Sequence, residues 1–163
     1  MRRRIPHLGG DILKGRGFAY AQRNGTRVAI AAEVEVNRKT GRVWGRKFTV
    51  AHDCGQIIAP TDLKQCIEGN IVQGLSRATL EEVKFDQSNV TSVDWNSYPI
   101  LDIMDMPEAI DIVLIDRPGV VISGAGEPSI RPVAAAVANA VFDATGVRIR
   151  RAPLTPERVK QAL

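Results

Sequence analysis

Residues 121–132 read Val-Ile-Ser-Gly-Ala-Gly-Glu-Pro-Ser-Ile-Arg-Pro, placing one carboxylate, Glu127, directly after two glycines, Gly124 and Gly126. Glycines here let the backbone turn tightly and let a large ligand come close. Ser129 is a favoured residue at a helix N-terminus, and Pro132 is tolerated in a first helical turn. The sequence therefore predicts a helix starting near Ser129, with Glu127 just outside it. Two roles fit such a carboxylate: a general base facing a ligand, or a negative charge that steadies the positive end of a helix. A phosphate cradle of the G-x-G-x-x-G type is a third reading. Against it stand Ser129 at the third glycine position, the charge of Glu127 itself, and Asp143, which falls inside a helix pattern instead of ending a strand.

A second set of polar groups lies on a helix predicted from about residue 62 to 77. Asp62-Leu63-Lys64-Gln65 has the form of a capping box, and Leu63, Ile67, Ile71 and Leu75 follow at four-residue steps. Gln65, Gly69, Gln73 and Ser76 share the small, polar face, open to a ligand or to close packing. Gly69 and Gly74 each weaken this helix by about 1 kcal/mol relative to alanine. Cys54 and Cys66 form neither a C-x-x-C pair nor a zinc-ligand spacing and read as buried free thiols. His52 and Asp53 have no ligand partners at useful spacing and read as hairpin-end residues, so no side-chain metal site is expected. Trp95 and Tyr98 either anchor a long loop or line an approach to the site.

The elements that must position these groups follow from periodicity. Residues 1–20 show none, and Gly9, Gly10, Gly15 and Gly17 suggest an extended segment leading into a domain spanning 21–163. Val28, Ile30, Ala32, Val34 and Val36 alternate as a strand. A turn at residues 37–41 and a returning strand from 43 to about 53 complete a hairpin. After the first helix come a short strand near 79–85, an irregular stretch over 86–107, and a strand at 110–115 apolar on both faces. A second helix carries Ile130, Val133, Ala134, Val137, Val141 and Ala144 and closes at Gly146. A last strand at 147–151 and a terminal helix opened by Thr155 and Pro156 end the chain. The predicted fold is α+β in two layers, a mixed sheet with helices, in the order β-β-α-β-α-β plus a C-terminal helix.

With 163 residues, 44% hydrophobic and 25% charged, the chain reads as one globular domain. Aromatic content of only 5% requires a core of Val, Ile, Leu and Ala. The net charge of +4 gathers at Arg2-Arg3-Arg4 and at Arg148, Arg150 and Arg151, without interleaved aromatics, so nucleic acid is not an expected partner. No apolar run is long enough to span a membrane, and no signal-peptide pattern is present.

Taken in order, several segments resemble the large subunits of the molybdenum hydroxylases, the xanthine oxidase and aldehyde oxidase family, and most of all its isoquinoline 1-oxidoreductase branch. They are Gly15-Arg16-Gly17-Phe18-Ala19, Asp53-Cys54-Gly55, Gln65 through Leu75, Thr79-Leu80-Glu81-Glu82, Asn96-Ser97-Tyr98-Pro99-Ile100, and the Gly-Ala-Gly-Glu-Pro-Ser loop at 124–129. The resemblance implies that Glu127 is the catalytic base beside molybdenum, taking a proton from the water-derived oxygen that enters the substrate. It implies that Gln65 contacts the cofactor and that Gly124 and Gly126 give the loop access to the metal centre. The implied cofactor is molybdopterin, in its cytosine dinucleotide form, with molybdenum held through the pterin. The implied substrate is a small aldehyde or N-heteroaromatic. No iron–sulfur cysteine pattern exists here, so electrons would leave through an iron–sulfur subunit. Family subunits are several times longer, which suggests a fragment whose partner is the rest of the large subunit and which binds no cofactor alone. The alternative is a non-catalytic chain that serves only to pack against other protein.

Overall fold

A computed structural model describes residues 10–163. The Arg2-Arg3-Arg4 cluster and the first nine residues of the predicted lead-in segment lie outside the described residues. Four strands form one sheet in the spatial order of the sequence: β1 (Ile12–Arg23), β2 (Thr26–Asn37), β3 (Val43–Asp53) and β4 (Ala109–Leu114). The first three are antiparallel neighbours, and β4 runs parallel to β3. Parallel strands need a crossover, and α1 (Pro60–Thr79) lies within it. The helices α2 (Gly126–Ile130), α3 (Val133–Thr145) and α4 (Pro156–Ala162) follow. The class is α+β with a mixed sheet and helices, as the sequence predicts.

The β2–β3 hairpin forms where alternation places it. Its inward residues Val28, Ile30, Ala32, Val34, Val36, Phe48 and Val50 are buried with Ile67, Ile71 and Leu75 of α1 and Val133, Val137 and Val141 of α3 in one core. Thr155 caps α4 by accepting from the Arg158 N–H, with Pro156 at the first helical position.

Four element predictions need correction. The 1–20 segment is no lead-in beyond residue 11, because Ile12 onward forms the full-length strand β1. Its inward positions include Gly15 and Gly17, which carry no apolar signal. A Cβ on Gly17 would stand 2.0 Å from the Ala136 carbonyl oxygen, and one on Gly15 would stand 2.2 Å from that of Ala140. These glycines let α3 lie directly on the β1 backbone. Residues 79–85 form no strand, since α1 runs on to Thr79 and only Phe85 makes an isolated bridge to Val90. Residues 147–151 pair with no strand among the described residues. The capping box is absent as well: α1 begins at Pro60 with Ala59 at its N-cap, leaving Asp62 already inside the first turn.

Among the described residues, the outer face of the sheet carries no helix. Tyr20, Ala29, Ala51 and Val113 face one another across all four strands. Tyr20 and Val113 are each about half exposed, at 55%, so this apolar row is open.

Candidate active site

The β1–β2 turn, the end of β3 and the start of α2 meet at one end of the sheet. Asn24 and Gly25, with φ of 47° and 90°, make a two-residue hairpin turn between β1 and β2. This turn fixes Arg23 on one side and Thr26 on the other. Val28 pairs with His52 across β2 and β3, so buried Thr26 and buried His52 both point inward at the same sheet end.

Residues 120–125 are fastened to this end. The Gln56 N–H donates to the Val120 carbonyl at 3.2 Å, and the Ser123 N–H donates to the Cys54 carbonyl at 2.9 Å. Thr26 Oγ1 donates to the Gly124 carbonyl at 2.5 Å, and its oxygen lies 2.6 Å from Ser123 Oγ. His52 Nε2 lies 3.2 Å from the Ala125 carbonyl oxygen, which also accepts from Ser129 Oγ at 2.8 Å. Below the loop, a Cβ on Gly126 would stand 3.3 Å from Cys66 Sγ and 3.2 Å from Asn70 Nδ2. Gly126 thus lets the loop settle on α1. Around Gly124 the space is open.

The helix starts at Gly126, with Ala125 at its N-cap, and not near Ser129, so Glu127 lies inside the first turn of α2 instead of just outside a helix. Its side chain is 65% exposed, and Oε1 sits 2.9 Å from Arg23 Nη1. The phosphate-cradle reading loses its context here. No strand runs directly into Gly124, since β4 ends at Leu114 and residues 115–123 are loop, and the helix after it is five residues long.

Gln65 is exposed on α1 in a groove of about 440 Å³, shared with Glu68, Gly69, Val72 and the 106–110 segment. Glu127 does not line this groove. With no capping box, Gln65 has no capping partner, and its amide makes no hydrogen bond among the described residues. The polar face of α1 divides in use. Gly69 meets nothing, whereas Ser76 is buried and accepts from the Leu101 N–H at 3.0 Å. Tyr98 anchors its loop by donating to Glu81 at 2.9 Å, while Trp95 is 78% exposed.

Asp53 and His52 prove more than hairpin-end residues. Burial alone would raise the Asp53 carboxyl, but the Gly55 N–H and the Arg117 and Arg27 guanidiniums outweigh it and hold the group below the usual carboxylate range. Burial also pushes the His52 imidazole down, against the raising effects of the Ala125 carbonyl and the Asp53 charge. Cys54 is buried as expected; Cys66 is exposed, contrary to expectation. Among the described residues no group of three or more His, Cys, Asp or Glu could hold a metal ion.

Sequence reasoning missed Arg23, Thr26 and His52 as parts of this site. The Arg23-Asn24-Gly25-Thr26 stretch was a signal for the first two, because Asn-Gly between strands marks a tight hairpin. For His52 the sequence holds only its inward register with Phe48 and Val50.

Comparison with known proteins bears on this geometry. A nicotinate dehydrogenase chain from Pseudomonas putida is 42% identical over 94% of this chain, a match covering 14% of that relative. The beta chain of isoquinoline 1-oxidoreductase from Brevundimonas diminuta is 28% identical over 95% of this chain and 19% of its own length. Among solved structures, quinoline 2-oxidoreductase from Pseudomonas putida 86 superposes with a TM-score of 0.78 at 32% identity, over 84% of this chain and 18% of that one. The aldehyde oxidoreductase from Desulfovibrio gigas gives 0.75 at 31% identity, over 85% and 15%. The chain thus spans less than a fifth of the length of these relatives. Residues 13–107, more than half of the chain, match the molybdopterin cofactor-binding domain family. The chain belongs to that family, as a molybdopterin-binding domain of the xanthine oxidase type.

Proposed function

We propose that this chain forms one wall of the cofactor pocket in a molybdenum hydroxylase that oxidises an aldehyde or an N-heteroaromatic compound, with Glu127 as the proton acceptor. The observation that carries this reading is the setting of Glu127. Its carboxylate is exposed beside an open glycine, while the backbone just before it is fastened to two strands. A purely helix-steadying role has little support, because five residues of α2 build only a weak dipole, and Arg23 already pairs the charge.

The residues present fit a molybdopterin group. Gly124 offers approachable backbone, Gln65 a free amide and Glu127 an exposed carboxylate. When bound, the cofactor supplies the oxidising equivalents. The chain's part is to orient Glu127, hold its side chain beside Arg23, and take a proton onto a carboxylate oxygen. Gln65 donates its amide to the cofactor, for which the cytosine dinucleotide form is proposed. The relatives named for nicotinate, isoquinoline, quinoline and aldehydes support the substrate class. The open apolar row on the outer sheet supports burial against the rest of a large subunit, with an iron–sulfur subunit as the electron outlet. A chain that only packs against other protein would use the same row, but would have no use for Glu127.

The test is made on a complete subunit carrying this chain, purified with its electron-transfer partner. Molybdenum and pterin should be present, and aldehydes or N-heteroaromatics should reduce an artificial acceptor. Glu127→Gln should keep the metal and lose on the order of 10²–10⁴ in turnover. A metal-replete Gln variant above about a tenth of the parent rate would remove Glu127 from the reaction. The 163-residue chain alone should bind neither molybdenum nor pterin, since hydrogen bonds to a charged group contribute about 1.5–3 kcal/mol each and most donors would be elsewhere.

A further inference from the structure

His52 is fully buried, and its two ring nitrogens are unequal. Nε2 faces the Ala125 carbonyl oxygen at 3.2 Å, whereas Nδ1 is buried with no partner among the described residues. A carbonyl only accepts, so this contact is a hydrogen bond only when Nε2 carries the proton. The other tautomer would aim two lone pairs at each other and leave a buried N–H unpaired. The doubly protonated ring would bury a charge and an unpaired donor together. A neutral ring protonated at Nε2 leaves just one acceptor lone pair unused, the smallest penalty of the three.

The bond matters because of where Ala125 stands. It lies two residues before Glu127, between Gly124, around which the space is open, and Gly126, which has no side chain to hold it. Gly126 rests on α1, but on the sheet side the loop offers no side chain at Gly124, so its course there is set by what grips its carbonyls. Thr26 grips Gly124 with a hydroxyl that can rotate. The His52 ring is held by the core on an interior strand and has no such freedom. We propose that His52 is a positioning residue: a neutral, Nε2-protonated imidazole that anchors the Gly124–Glu127 turn through the Ala125 carbonyl and so fixes where the carboxylate stands. The consequence for turnover rests on Glu127 being the proton acceptor; the anchoring itself does not.

Three measurements test this. In the unmodified 163-residue chain at pH 7, nitrogen NMR should show His52 protonated at Nε2, bare at Nδ1, and with its Nε2 proton close to Ala125 or Gly126. The opposite tautomer or a charged ring overturns the proposal, and no variant need fold for that result. Next, amide hydrogen exchange over residues 122–130 should quicken about tenfold in His52→Leu, which has no donor, and stay near the parent in His52→Gln, which keeps one. Equal exchange in all three proteins overturns the anchor. Lastly, in the complete enzyme His52→Leu should lower kcat at least about tenfold with KM and molybdenum content kept, and His52→Gln should restore most of it. If Glu127→Gln is inactive yet His52→Leu turns over normally, the positioning role fails. If Glu127→Gln is fully active, the catalytic reading of Glu127 fails, and the anchor is judged by the first two measurements.

Discussion

Arg23 and Glu127 face each other across the end of the sheet, guanidinium to carboxylate at 2.9 Å. They come from the first strand and from the helix start over one hundred residues later. What joins them is the Asn24-Gly25 turn, which ends β1 beside the loop that Thr26 and His52 hold. The carboxylate of the pair is 65% exposed, though the arginine side chain is only 33% exposed, so solvent screens the pair and its contribution to stability is small. Arg23→Met should therefore change the unfolding free energy by less than about 1 kcal/mol in urea titrations. Loop exchange should stay at the parent rate, because the carbonyl anchors remain. A larger loss of stability would mean that Arg23 supports the turn itself.

The contact of α3 with β1 makes the next prediction. Gly17→Ala puts a methyl group 2.0 Å from the Ala136 carbonyl oxygen and 2.3 Å from the Ala140 nitrogen, both backbone atoms that move only with the whole helix. A loss of about 1–3 kcal/mol or more is expected. Gly69→Ala is the contrasting change, since nothing lies within 4 Å of its missing side chain. Replacing glycine inside an exposed helix should stabilise by about 0.5–1 kcal/mol. Denaturant midpoints of the two variants should move in opposite directions.

These glycines also show what sequence could and could not carry. The β2–β3 hairpin was legible because its inward residues are Val, Ile and Ala at period two. β1 was not, because its inward face is Leu13, Gly15 and Gly17, and a glycine that admits a helix looks the same in sequence as one that loosens a loop. Glu127, Gly124 and Gly126 could be singled out from spacing alone. The groups that hold them could not, since Thr26 and His52 gain their meaning from strand register with a distant loop. The strand foreseen at 147–151 failed for the opposite reason: its alternation is real, but no sheet edge among the described residues is there to pair with it.

The pH response of stability should carry two signatures. Asp53 has a carboxyl held below its ordinary value of 3.8, so its contribution is complete above that pH and is lost as pH falls through the lower folded value. Asp53→Asn should destabilise the protein by about 1–2 kcal/mol at pH 7, less than for a fully buried pair because Arg27 and Arg117 are partly exposed. The difference from the parent should shrink in acid. His52 is likewise depressed from 6.5, by burial. Stability should be full above pH 6.5 and decline below it until the folded ring also protonates, at up to about 1.4 kcal/mol per pH unit. Urea midpoints from pH 7 to 5 should fall in the parent, and this component should be missing in His52→Gln.

Gln65 offers the cleanest separation of structure from function. Because α1 starts at Pro60, the Asp62–Gln65 capping box that would have given this side chain a stabilising task does not form. The amide stands exposed over the groove facing residues 106–110. Alanine is the better helix former, so Gln65→Ala should leave stability unchanged or raise it by about a few tenths of a kcal/mol. If Gln65 contacts the cofactor as proposed, the same change in the complete enzyme removes a hydrogen-bond donor, and molybdenum occupancy or turnover per molybdenum should fall. The two readouts are independent: a thermal melt of the chain and metal analysis of the loaded enzyme. A variant with an unchanged melt and reduced occupancy assigns Gln65 to the cofactor wall. Parent-like occupancy and turnover would leave it an ordinary surface residue of α1.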